Sequence, residues 1–247
     1  MSSIKDFVLE LQSISDKDVI DIKVPSTGKV CKFKLISVKQ HKNTIKCAVE
    51  GIEGSIKLSS IFNAIIKDNC LEPIDFKLYD RSYILTQLRK ASVGNTIKIK
   101  GDVYDLNDLP KFNFDYSDKQ TTLSQQNVTV SISIPTLDFD SLITEKCLFD
   151  ISKLQSDTAA KKMTDYVNIL LTYEIIKFVS EIQINNTTIK LSDYSVHDRK
   201  TIVDNIPLKL NNDIIDYIAS YKQYEKQFFQ FSENIDLTID ASFLTND

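Results

Sequence analysis

The residues best able to do chemistry in this chain are two histidines, His41 and His197, and four cysteines, Cys31, Cys47, Cys70 and Cys147. Zinc needs Cys and His ligands clustered at short spacing, and these residues are scattered, with no C-x-x-C pair and neither histidine beside a cysteine pair. A run of acids (Asp102, Asp105, Asp108, Asp115, Asp118) hints at calcium. It lacks the central glycine and terminal glutamate of an EF-hand loop, so it reads as a solvated acidic loop. There is no G-x-S-x-G elbow, and the Asp198 that follows His197 is a sequence neighbour rather than an orienting partner across a site. Neither a Walker loop nor G-x-G-x-x-G is present, and with 5 glycines in 247 residues few backbone positions suit a phosphate. The expectation is therefore no catalytic residues, no metal and no cofactor, and a protein that is not an enzyme.

The residues left over suit contact surfaces. Between Ile22 and Val49 lie Lys23, Lys29, Lys32, Lys34, Lys39, Lys42 and Lys46, with no acid. Clustered lysines neutralise phosphates, so a nucleic-acid-binding module is one reading of Lys23–Lys46. The stretch has no arginine and almost no stacking aromatic, which favours the wet face of a hairpin and helix instead. A second feature is the series Ile214, Tyr217, Tyr221, Tyr224, Phe228 and Phe231, stepping by threes and fours. Each tyrosine brings a hydroxyl that needs water or a partner, so Tyr217, Tyr221 and Tyr224 fit a half-wet interface as well as a core face. A third is the segment bearing Tyr79, Arg81, Tyr83 and Arg89, residue types enriched at interfaces.

The elements that must hold these residues follow from periodicity and punctuation. Ile4, Phe7, Val8 and Leu11 give a weak helix over residues 3–13. Residues 19–24 and 29–36 flank Pro25-Ser26-Thr27-Gly28 and form a hairpin with one wet face. Ser37 and Gln40 make a capping box for a helix running to about residue 50, closed by Gly51 and Gly54. Helices are predicted over 56–69 and 75–92, then a strand over 95–103 and a long loop over 104–126. Residues 127–134 alternate and should pair with that strand or a neighbour. Met163, Val167, Leu170, Leu171, Ile175, Phe178 and Val179 mark the apolar face of a helix over 156–180. A short hairpin about Asn185-Asn186, a helix begun at Ser195 and ended by Pro207, a helix over 211–231 and a closing strand at 235–239 complete the chain.

The fold class expected is α+β. An N-terminal hairpin, helices and a small, mostly antiparallel sheet (1–150) precede a largely helical C-terminal half (151–247), or the two form one continuous domain. With 42% apolar and 26% charged residues the composition is that of a globular chain, and the net charge of −4 offers no general attraction to nucleic acid or anionic lipid. The opening MSSIKDFVLE has two acids and no apolar run, and no stretch approaches a membrane span, so an intracellular protein with reduced thiols and no membrane partner is expected.

Two stretches are familiar together: VPSTGKVCKFKLISVKQHKNTIKCAVEG (Val24–Gly51) and LYDRSYILTQLRKASVGN (Leu78–Asn95), supported by DLTIDASFL (Asp236–Leu244). They resemble the baseplate hub and hub-assembly proteins of T-even-like contractile-tailed bacteriophages, over about residues 20–105 and again near the C-terminus. The resemblance implies a structural subunit or assembly factor that contacts other hub or tail proteins, with room for oligomers within the assembly. It implies a location in the virion tail baseplate, or in the host cytoplasm during assembly. It also makes Tyr79, Arg81, Tyr83 and Arg89 a candidate protein-facing surface.

Overall fold

Alternation of Ile20 and Ile22 with Asp21 and Lys23 makes the first described element a strand with one apolar face. The computed structural model describes residues 4, 5, 8, 18–113, 121–155 and 158–245, so the helix expected over 3–13 lies largely outside the described residues. β1 (Val19–Lys23) pairs antiparallel with β2 (Val30–Lys34), in a register that sets Ile22 opposite Cys31 and Ile20 opposite Phe33. Ile22, Cys31 and Phe33 are buried while Asp21, Lys23 and Lys32 face outward.

The capping box forms as the sequence implies: Gln40 N donates to Ser37 Oγ (3.3 Å) and Ser37 N donates to Gln40 Oε1 (2.9 Å). It starts α1 (Val38–Ala48). The two glycines expected to close α1 do something else. Gly51, at φ +64°, turns the chain and begins α2 (Gly51–Asn69), five residues ahead of the expected start. Gly54 lies inside α2, where an added Cβ would come within 2.0 Å of the Cys47 carbonyl oxygen. Only a residue without Cβ lets α2 cross the end of α1 so closely.

α3 (Asp80–Ser92) follows. The single strand expected over 95–103 is instead a hairpin of β3 (Thr96–Ile99) and β4 (Asp102–Asp105). Lys100 and Gly101 both have positive φ, the geometry of a tight two-residue turn. The long loop expected over 104–126 is shorter than that, since β4 runs to Asp105 and β5 (Thr121–Gln125) opens before it ends.

The chain divides into two units: Met1–Phe112 with Phe228–Asp247, and Asn113–Gln227. A cut at residue 150 would pass through the second. That unit holds a four-stranded antiparallel sheet of β5, β6 (Val128–Ile132), β7 (Val179–Ile184) and β8 (Thr187–Lys190), in that order. Its helices are α4 (Leu137–Ser152), α5 (Ala159–Phe178), α6 (Val196–Asp204) and α7 (Leu208–Lys226). α4 was not expected. Its buried face carries Asp140 and Thr144 beside Leu137, Ile143, Cys147 and Ile151, which breaks the apolar period. On α5 the apolar face is only half inward: Ile175 and Phe178 are buried, whereas Met163, Val167 and Leu171 are exposed and Tyr166, Tyr173 and Ile176 are buried.

In the first unit Leu58, Phe62, Ile66, Ile84, Leu85 and Leu88 form the core with Leu237, Phe243 and Leu244 of the returning segment. That segment contains the short pair β9 (Gln230–Ser232) and β10 (Ile235–Asp236). Seven helices and small antiparallel sheets among the described residues make the fold α+β. Gly54→Ala should lower stability by about 3 kcal/mol through overpacking against backbone. Chemical denaturation checks this against Gly28→Ala, whose added Cβ meets nothing within 4 Å and which therefore carries only the backbone strain of a side chain at φ +67°, about 1–2 kcal/mol.

Candidate protein-contact surfaces

α3 carries the first set of candidate contact residues, and its two ends are fixed by buried charge. Arg89 lies in the last turn and is 1% exposed. Its Nε donates to the Phe243 carbonyl oxygen (2.7 Å), Nη2 to that of Thr245 (3.1 Å) and Nη1 to that of Gly94. The guanidinium carbon is 5.7 Å from the centre of the Phe243 ring. Burial draws the guanidinium below its usual pKa, yet an arginine this basic stays charged. A cation here also meets the negative end of the helix dipole. Arg89 is thus a clamp between α3 and the segment 243–245, not part of a surface.

At the other end Asp80 is fully buried and accepts from Ser26 N (2.8 Å) and Lys77 N (2.8 Å), which ties the β1–β2 turn to α3. Burial raises its pKa above the ordinary carboxylate value, and the hydrogen bonds oppose that only in part. Tyr79 beside it is also buried. Arg81 is half-buried, with Nη1 3.4 Å from Asn63 Oδ1. Tyr83 is half-buried against Phe112, ring centres 5.0 Å apart, and burial raises its phenol pKa. Tyr83, Gln87, Lys90, Pro110, Phe112 and Phe228 line a cleft of about 310 Å³. Of the four residues expected to face a partner, Arg81 and Tyr83 keep access to solvent.

The tyrosine series divides in the same way. Tyr221 is fully buried and meets Phe178 edge-on, with ring centres 5.5 Å apart; Ile214 and Ile218 are buried on the same side of α7. Tyr217 and Tyr224 are half-buried. α7 ends at Lys226, so the helical series stops before Phe228 and Phe231. Those two belong to the first unit, where Phe228 packs 5.1 Å from Phe112 and Phe231 5.0 Å from Tyr104.

Sequence reasoning missed a cluster of titratable groups in the second unit. Asp140 on α4 pairs with Lys177 on α5 (2.7 Å), and Glu174 on α5 pairs with Lys177 (3.6 Å) and with Lys222 on α7 (2.6 Å). Asp150 accepts from the Tyr173 hydroxyl (2.9 Å) and from Lys200 Nζ on α6 (2.9 Å). Lys200, Tyr173 and the pairing they provide outweigh burial and hold Asp150 below its ordinary pKa. Lys177 and Lys222 do the same for Glu174. Burial pushes the Cys147 thiol up to about 11 and the Tyr173 phenol higher still. Neither supplies an anionic nucleophile near neutrality, so this cluster locks α4, α5, α6 and α7 to one another. Asp198, the neighbour of His197, accepts from the capping hydroxyl of Ser195 (2.6 Å). Among the described residues no three His, Cys, Asp or Glu side chains gather to hold a metal ion.

The lysines of the first hairpin and α1 do reach water. Lys23, Lys29, Lys32, Lys39, Lys42 and Lys46 are exposed and Lys34 is half-buried. No helix among the described residues is long and apolar enough to cross a membrane.

Two outcomes test the fixed ends of α3. Arg89→Ala should cost about 3 kcal/mol, since one buried and two partly buried carbonyl oxygens lose their donor, and Arg89→Lys should recover only part of that, by equilibrium unfolding. For Asp80 the folded pKa lies above the unfolded one, so its contribution to stability is present below the ordinary carboxylate pKa and is lost as pH rises through the folded value. Asp80→Asn should therefore remove a decline in stability between about pH 4 and about pH 7. Denaturation midpoints of both proteins at the two pH values decide it.

No curated protein and no solved structure matches the chain. A family model does, over residues 17–230, and its description is T4 bacteriophage base plate protein. The match spans the first hairpin, α1 to α3 and all of the second unit, including the middle of the chain where the quoted stretches gave little resemblance. By that match, over most of its length, the chain belongs to the T4 bacteriophage base plate protein family.

Proposed function

We propose that this chain is a non-enzymatic structural or assembly protein of the baseplate hub, working through contacts with other hub or tail proteins. Family membership carries the reading. The side chains support it: the groups best placed for chemistry in the second unit are spent in ion pairs or held protonated, while apolar residues stand outward on several helices. Arg81 and Tyr83 on α3, and Tyr217 and Tyr224 on α7, are the half-exposed residues offered as partner contacts. The protein would reside in the tail baseplate, or in the host cytoplasm while the baseplate is built.

A second reading, a nucleic-acid-binding module, draws on the exposed Lys23, Lys29, Lys32, Lys39, Lys42 and Lys46. It requires binding to DNA or RNA that weakens steeply as salt rises. The absence of arginine from the same stretch weighs against it.

Mass spectrometry of purified tails and of infected-cell lysate tests the first reading. A virion subunit is expected in tails at fixed stoichiometry. An assembly factor is expected in lysate and in assembly intermediates but not in mature particles. Detection in neither overturns both versions.

A further inference from the structure

The outward face of α1 has no reason in the fold to be apolar. At about 100° of rotation per residue, Val38, Lys42, Ile45 and Val49 fall within about 60° of one another. Cys47, which is buried and packs inward, lies on the opposite side, and buried Thr44 is well away from the stripe. Val49 keeps helical geometry as the C-cap residue. Val38 is 69% exposed, Ile45 42% and Val49 81%; Ile52, at the start of α2, is 52% exposed. Lys39 and Lys46 run together along one flank, with Lys42 inside the stripe. Scattered apolar residues on a surface need no explanation, but three β-branched side chains aligned on one outward helix face do.

We propose that this face is a docking site for an acidic segment of another protein chain, one that sets Asp or Glu against Lys39, Lys42 and Lys46 and small apolar groups against Val38, Ile45 and Val49. The charge pattern selects that occupant. Lys39, Lys42 and Lys46 lie on or beside the stripe with no acid on α1, and Glu50, which follows Val49, is paired with Lys57, so the stripe is positive on a chain whose net charge is −4. Face-to-face pairing with a second copy about a two-fold axis would set the lysines of one stripe among those of the other, which is repulsive. A nucleic acid would press phosphates onto the apolar centre of the stripe. A membrane surface would call for bulky Trp, Phe or Leu on the buried face, and the stripe has only Val and Ile. The inference rests on the baseplate reading only in requiring that the partner be a protein.

The test places a photo-crosslinking amino acid at Val49 in the full-length chain and irradiates phage-infected cells, with the exposed Lys190 as the control position. The expected product joins Val49 to a peptide of a different protein rich in Asp and Glu. Its yield should fall about tenfold when Lys39, Lys42 and Lys46 are all replaced by Glu. An unchanged unfolding midpoint for that triple variant shows that the loss is one of docking rather than folding. Products with a second copy of the chain, with nucleic acid or with lipid overturn the proposal. So does a yield no higher than at Lys190, or one indifferent to the lysine replacements. The same cells separate the two claims. An acidic partner at Val49 with no chain in tails or assembly intermediates keeps the docking face and removes the hub role. The chain in tails without such a product does the reverse.

Discussion

The guanidinium of Arg89 sits where three pieces of chain finish: the last turn of α3, the Gly94 turn that follows it, and the segment carrying Phe243 and Thr245. A buried cation is tolerated only if its donors are satisfied, and here the oxygens that satisfy it are backbone carbonyls. That choice has a geometric price of its own, because a carbonyl is aimed by the path of the main chain. The segment must therefore follow one course past the helix end. Its Phe243 ring and Leu244 are buried with Leu85 and Leu88 in the core of the same unit. The apolar packing of the first unit is in this sense arranged around a charge.

The second unit reaches the same end by pairing charges rather than solvating one. Asp140, Lys177, Glu174 and Lys222 run as an alternating chain across α4, α5 and α7, and Asp150 joins Tyr173 to Lys200 on α6. Asp140 and Lys177 are both buried from most solvent, so removing either leaves the other poorly solvated, and that pair specifies one placement of α4 against α5 more than it adds net stability. It also removes these residues from any other use. A carboxylate held low by two lysines and a thiol held protonated are poor acids, bases and nucleophiles near neutrality.

The parts of the fold governed by local rules were legible in the sequence. Ser37 with Gln40, and Ser195 with Asp198, announced helix starts, and the Pro25–Gly28 reversal announced the first hairpin. What was hidden depended on tertiary placement. α4 escaped because Asp140 and Thr144 occupy its inner face, where a periodicity search expects apolar residues. Arg89 and Tyr221 looked like surface because their residue types favour interfaces, and nothing nearby in sequence supplies the carbonyls or the Phe178 ring that enclose them. Gly54 read as a stop because the close approach of the Cys47 carbonyl cannot be seen along one dimension. Of the candidate contacts, those left half-exposed are the ones whose type and placement agree: Arg81, Tyr83, Tyr217 and Tyr224.

The chain order of the two units also bears on how the molecule is made. Phe243 and Thr245 lie 154 and 156 residues beyond Arg89, and the whole second unit is translated between them. On a ribosome that emits about 5–20 residues per second, the helix end and its carbonyls are separated by many seconds of synthesis. Every strand and helix of the second unit is synthesised before Phe243 and Thr245, so until those two residues exist the Arg89 guanidinium lacks two of its three carbonyl partners. Completion of the first unit is therefore a late event in the life of the nascent chain. A polypeptide cut before Phe243 would hold every residue of the second unit, yet lack the buried Phe243 and Leu244 side chains and two of the carbonyls that solvate the Arg89 guanidinium.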